Sequence, residues 1–328
     1  MRTSLSQSPI VILGGSGFIG SRLATLLSKG SQPVRIADLR KSDVLPDAWI
    51  PCDVRSLQPL SEAVQGAETI INLAAEHRDD IRPLSRYREV NVDGAINVCE
   101  AARRAGVRQI IFTSSVAVYG FHPRAIDEAG PFEPFNEYGR TKLEAERIYQ
   151  DWLAEDSSRS LVIVRPTVVF GEGNRGNVYN LLRQIASGNF LMVGSGENFK
   201  SMCYVGNVAA FLAHSLTLGS GLHISNYVDQ PDMNTRHLVD HIHTCLGRSG
   251  RVRQIPKPIA FAAAHVLDLF AQISGRNFPV SAIRVRKFCE TTRFKSERIA
   301  QWGFSAPFTL AEGLALTVKF EFDKRAQI

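Results

Sequence analysis

The chain has 328 residues, 44% of them hydrophobic, enough to bury one large core or one core and a smaller companion. Its 38 Lys and Arg against 32 Asp and Glu give a formal charge of +6, which suits an anionic ligand; because the two signs interleave along most of the chain, nucleic-acid binding has little support. Five cysteines, odd in number, far apart and without a CxxC pair, fit reduced thiols in a cytoplasm, and the polar start of the chain shows no export signal.

Ile10-Val11-Ile12-Leu13 is a short apolar run that ends in the turn Gly14-Gly15-Ser16-Gly17-Phe18-Ile19-Gly20, after which residues 18–27 have helical spacing. The alternation continues with strands at 34–37 and 48–52, a helix at 56–64, a strand at 69–73, a helix at 87–105 and a strand at 109–113. A helix carrying Tyr138 then precedes a strand at 161–165. Strands alternating with helices call for an α/β fold, a Rossmann-type doubly wound parallel sheet, expected over residues 1–172. Beyond it come a loop at 171–176, a helix at 177–186 and a strand near 222–226 that returns to the sheet. Residues 173–328 are expected to form mainly a smaller α/β substrate-binding part.

The glycine spacing at 14, 17 and 20, between a strand and a helix, is the context a dinucleotide fingerprint requires. Small residues let the backbone approach a pyrophosphate, and the helix N-terminus offers free N–H groups. Asp38 ends the second strand, where a carboxylate meets ribose hydroxyls and repels a 2′-phosphate, so NAD is favoured; Arg40 and Lys41 behind it keep NADP as the alternative. Asp53, with Val54 beside it, follows the third strand and is placed to meet the adenine edge.

Tyr138 and Lys142 are four residues apart on a predicted helix and therefore share a face. A phenol is a poor base, with an unperturbed pKa of about 10, and a neighbouring ammonium brings it towards a useful range. His237, His241 and His243 do not complete a metal-ligand pattern, so no metal is expected. The stripe Ile259, Phe261, Val266, Leu267 and Phe270 lies beside basic Arg248, Arg251, Arg253 and Lys257. It would suit a membrane surface, although packing against the sheet domain is the expectation; the run is too short and interrupted for an integral span.

Taken together, the glycine turn, Asn72-Leu73-Ala74-Ala75, Asn91, Thr113-Ser114-Ser115, the Tyr138/Lys142 pair and Arg165-Pro166 before Phe170-Gly171 resemble the extended short-chain dehydrogenase/reductase family, in its epimerase/dehydratase branch. The resemblance implies that Tyr138 is the general acid/base, that Lys142 holds the nicotinamide ribose, and that Ser115 hydrogen-bonds the reacting hydroxyl. It implies cofactor contacts from Leu73, Ala74, Ala75, Asn91, Thr113 and Arg165, and substrate contacts from His77 and Thr167. Asn177 and Lys200 are implied for the diphosphate of a UDP-sugar, with Lys standing where relatives usually carry Arg. Sugar dehydratases of this family carry Asp-Glu after the catalytic Thr/Ser. Here Val116 and Ala117 occupy those positions and cannot transfer a proton, which disfavours dehydration. The implied activity is NAD-dependent 4-epimerisation of a UDP-hexose or UDP-N-acetylhexosamine for cell-surface polysaccharide, by a homodimer paired through helices 85–104 and 136–153. The basic segment 281–298 departs from simple epimerases and keeps a 4-ketoreductase open; a non-catalytic dinucleotide sensor is the third alternative.

Overall fold

A computed structural model describes residues 8–78, 81–122, 124–248, 252–274 and 282–323. The first half runs β1 (Ile10–Leu13), α1 (Phe18–Leu27), β2 (Val34–Asp38), β3 (Trp49–Pro51), α2 (Leu57–Val64), β4 (Thr69–Asn72), α3 (Ser85–Arg88), a π turn at Glu89–Asp93, α4 (Gly94–Ala105), β5 (Gln109–Thr113), α5 (Glu137–Ala154) and β6 (Ser160–Pro166). The second half runs β7 (Val168–Phe170), α6 (Asn177–Ala186), β8 (Met192–Val193), β9 (Met202–Tyr204), α7 (Val205–His214), β10 (Gly221–Tyr227), α8 (Thr235–Cys245), β11 (Gln254–Ile255), α9 (Lys257–Ser274), α10 (Ala282–Cys289), α11 (Glu297–Gln301) and α12 (Leu310–Phe322).

Seven strands form one sheet in the order β10-β6-β5-β4-β1-β2-β3, with every pairing parallel. β1, β4, β5 and β6 are buried along their whole length, as expected of strands covered on both faces by helices. One face packs on α2, α4 and α5, where Leu60, Val98 and Trp152 lie in one core. The other packs on α1 and α7 through Leu23, Val208 and Phe211. The order reverses between β1 and β4, and a crevice opens at that point beyond the carboxyl ends of the strands.

The late strand expected near 222–226 is β10, which pairs with β6 along seven residues, so the second half of the chain supplies a sheet edge. A third core, with Leu182, Met202, Leu238 and Leu314, joins α6, α8 and α12 beside it. Two differences from the sequence reading concern helices. The helix expected at 87–105 is interrupted by the π turn, and the α9 stripe is not packed away as expected. Ile259, Val266 and Phe270 are exposed and Phe261 and Leu267 half-buried, and among the described side chains of α9 the fully buried one is small Ala264. Arg251 lies outside the described residues.

Candidate active site

The crevice is a cleft of about 500 Å³ lined by the glycine turn, the ends of β2, β4 and β5, and the start of α5. Gly14 sits at φ +72°, and a Cβ there would lie 2.7 Å from the Ala74 amide nitrogen, so the turn approaches the end of β4 as only glycine allows. Asp38 secures the turn from the other side. Its carboxylate accepts the Ser16 N–H (3.0 Å) and the Arg40 N–H (2.9 Å), while Ser16 Oγ donates to the Arg40 carbonyl (2.8 Å).

α5 begins with Asn136, whose side chain accepts the Gly139 N–H at 2.9 Å and caps the helix. At Gly139 an added Cβ would be 2.4 Å from the Ala117 carbonyl oxygen, so the helix start presses on the turn that follows Ser115. This close approach puts Ser115, Tyr138 and Lys142 on one wall of the cleft. Ser115 Oγ accepts the Ala117 N–H at 3.1 Å, which leaves its hydroxyl hydrogen to point elsewhere. Lys142 is 2% exposed with its Nζ 4.4 Å from the Phe112 ring centre, and burial lowers its pKa to about 7, opposed by the charge of Glu146 one turn on.

Beneath this wall, Glu146 and Arg165 form a bidentate ion pair (2.6 and 2.9 Å) at side-chain exposures of 1% and 2%. Glu146 also accepts from Ser114 Oγ at 2.5 Å, and Arg165 donates to Tyr119 Oη at 2.6 Å. Arg165 is not among the residues that line the cleft; its donors are spent inside the protein, where they fix the Ser114-Ser115 turn against α5. Asn91 is likewise absent from the lining. Its side chain bonds the Glu76 backbone N–H (2.9 Å) and carbonyl (3.0 Å) and reaches Thr141 Oγ1 at 3.0 Å, tying the loop after β4 to the turn of α5 before Lys142.

Gly17, Phe18, Ile19, Gly20, Asp53, Val54, Leu73, Ala75, His77, Thr113 and Thr167 all line the cleft. Asp53 is gripped by Arg55, whose hydrogen bond is the main cause of its lowered pKa. Ser16 is not among the lining residues and holds the turn through its bonds to Asp38 and the Arg40 carbonyl. Asn177 opens α6 on the exposed surface, and Lys200 lies half-buried near Glu290 and Cys289; neither belongs to the lining, where Asn174 stands instead. Sequence reading missed Glu76, Arg86 and Glu146. Only Glu146 had a signal, its position one helical turn beyond Lys142.

The site fits a dinucleotide. The turn accommodates no Cβ at Gly14 or Gly20, and two buried polar atoms on cleft residues, Thr113 Oγ1 and Arg86 Nε, have no hydrogen-bond partner among the described residues. Gly14, Gly17 and Asp38 would hold the pyrophosphate and ribose, and Lys142 the far ribose.

A doubly wound sheet with a Tyr and Lys one turn apart at the carboxyl ends of its strands defines a short-chain dehydrogenase/reductase of the extended kind. The chain belongs to the NAD dependent epimerase/dehydratase family, which matches residues 10–226. It is 44% identical over 315 residues, 95% of each chain, to the N-acetyl-alpha-D-glucosaminyl-diphospho-ditrans,octacis-undecaprenol 4-epimerase of Escherichia coli O157:H7. It is 27% identical, over 94% of each chain, to a UDP-glucose 4-epimerase of Vibrio cholerae. The solved UDP-N-acetylglucosamine 4-epimerase from Methanobrevibacter ruminantium M1, 20% identical, shares the fold at a TM-score of 0.76 over 99% of this chain and 100% of that one. The fold and enzyme class expected from the sequence are borne out. Among the described residues no helix is long and apolar enough to cross a membrane.

Proposed function

We propose that the protein inverts carbon 4 of an N-acetylhexosamine carried on a polyprenyl diphosphate. The observation that carries this reading is the 44% identity, across nearly the whole of both chains, to an epimerase named for such a substrate. The Tyr138/Lys142 wall supplies the chemistry. Tyr138 takes the proton from the 4-hydroxyl and returns it to the 4-oxygen, Ser115 Oγ orients that oxygen, and the Lys142 charge favours the phenolate. NAD, when bound, supplies the hydride acceptor and donor at carbon 4, with no net redox change. Val116 and Ala117 offer no acid or base for loss of water. Residues 1–172 serve the cofactor and 173–328 mainly the substrate, with Lys200 and Asn177 assigned to the diphosphate. Cytoplasmic residence and pairing of two subunits through α4 and α5 belong to the same reading, the former supported by five unpaired cysteines. A second reading, a UDP-linked sugar as substrate, is favoured by the relative from Vibrio cholerae.

Purified protein with NAD is given N-acetylglucosaminyl-diphospho-undecaprenol in detergent and, separately, UDP-N-acetylglucosamine, and the released sugars are separated. N-acetylgalactosamine from the lipid-linked donor, without accumulation of NADH, is expected. Epimerisation of the UDP-sugar alone would replace the first reading with the second, and stoichiometric consumption of reduced cofactor on a keto-sugar would replace both with a reductase.

A further inference from the structure

Charge is distributed unevenly in this chain. Residues 241–289 hold eight Lys or Arg against Asp268 alone, a net +7 that exceeds the +6 of the whole protein, so the other residues together are close to neutral. The same stretch contains α9, where Ile259, Ala263, Val266 and Phe270 follow one another at spacings of four, three and four and so share one face. That face is turned outward: Ile259 is 59%, Val266 53% and Phe270 57% exposed. Pro256, Pro258, Ala262 and Ala263 are exposed beside them; the basic Arg253 and Lys257 are exposed at the start of α9, and Arg286, paired with Glu290 at 2.9 Å, is exposed on the adjoining α10. An apolar stripe rimmed by cations is what an interfacial helix presents to an anionic bilayer.

The surface is also continuous with the substrate half of the enzyme. Lys257 starts α9, its side chain lying over the turn at Gly194. α9 packs on α10, Asn198 donates to the Phe288 carbonyl of α10 at 2.8 Å, and Lys200 bridges Thr292 just beyond the end of that helix. Lys200, assigned above to the diphosphate, is thus joined to the helix pair that carries the stripe.

We infer that α9 and the basic residues around it form a peripheral docking surface for an anionic phospholipid bilayer, laid against the end of the enzyme that receives the diphosphate. The use of this surface, to meet a sugar whose polyprenyl chain stays in the bilayer, rests on the function proposed above; the lipid binding itself does not. The chain needs no spanning helix for this, because the apolar stripe lies in the interface and the cations hold it there, and two weak signals together give a stable anchor.

The test uses the full chain and vesicle flotation with phosphatidylcholine alone or with about 30% phosphatidylglycerol, where each surface cation should add a few-fold to partitioning. Flotation is expected only with the anionic vesicles and should weaken as salt rises. The triple variant Ile259→Glu, Val266→Glu, Phe270→Glu should lose it by at least about tenfold, as should the separate variant Arg253→Glu, Lys257→Glu, whose residues are exposed and leave the core untouched. Wild-type protein that stays below the gradient at low salt, or both variants floating like wild type, would overturn the inference. So would a wild-type oligomer that the triple variant breaks up, because the stripe would then be a contact between copies. Flotation that depends on α9, in a protein that epimerises only a UDP-sugar, would keep the surface and remove the polyprenyl reading. Epimerisation of the detergent-dispersed lipid-linked sugar with no flotation would do the reverse.

Discussion

The two ends of this enzyme are held together by different physics. The wall that carries Ser115, Tyr138 and Lys142 rests on fully buried strands and on polar groups that satisfy one another: Glu146 with Arg165 and Ser114, Asn91 with Glu76 and Thr141. The end proposed to bind substrate is joined by two-residue strands β8 and β11 and by single bridges such as Lys200 to Thr292, and it turns an apolar helix face outward. A hydrogen-bonded, desolvated wall fixes the geometry that proton transfer requires. The cationic end is joined by fewer strand hydrogen bonds. The first should therefore fail abruptly when altered and the second gradually.

Tyr138→Phe is the severest test of the wall. It removes the group that moves the proton and leaves the glycine turn intact, so turnover should fall by about 10²–10⁴-fold while NAD affinity, followed by fluorescence titration, changes little. A loss of less than tenfold would mean that the wall is not the reacting surface.

Stability shows the same contrast. Arg165→Met should leave the Glu146 carboxylate buried without its bidentate partner, at a cost of about 3–5 kcal/mol in urea unfolding, and adding Glu146→Leu should recover much of it. A single-variant loss below about 1 kcal/mol would show that the pair does not organise the wall. Lys142 gives a smaller effect with a definite sign. Its pKa falls to about 7 on folding without cofactor, so between that value and the unfolded pKa of about 10.4 the unfolded chain binds the extra proton. Stability of the cofactor-free protein should therefore rise as pH increases from 7 towards 10 and drop as pH falls through 7. Thermal unfolding of Lys142→Met should lack that rise; an identical pH dependence in the variant would assign it to another group.

How much could be read beforehand follows the same division. β1, β5 and α6 are legible because each is a local run of apolar residues or a helical period with clear borders, and the cofactor turn because its glycines lie between a strand and a helix. Even β10 was expected as a strand near 222–226 that returns to the sheet, and its pairing with β6 explains it. The internal bonds of Arg165 and Asn91 were not legible because their motif positions say nothing of where a side chain turns, and that was decided by Glu146, nineteen residues from Arg165, and by Glu76, fifteen from Asn91. The exposure of the α9 stripe was hidden for a related reason. Amphipathic periodicity shows that two faces differ, without saying which faces the core, and here the small Ala264 faces inward.

The smallest expected effect lies at the diphosphate. Lys200 is half-buried, and burial lowers its pKa, so a bound diphosphate would supply the counter-charge that favours its ammonium. An interaction made equally with the ground state and the transition state changes KM and leaves kcat alone. Lys200→Gln should thus raise KM by about tenfold at unchanged kcat, the size of one lost charge-assisted hydrogen bond. Asn177→Ala, on the exposed start of α6, should raise it by about twofold or less, while Asn174→Ala, on the cleft itself, should change it more than Asn177→Ala does. If Lys200→Gln lowers kcat and kcat/KM equally, the contact forms only in the transition state. The substrate end would then be part of the wall's rigid machinery, and the contrast between the two ends would be lost.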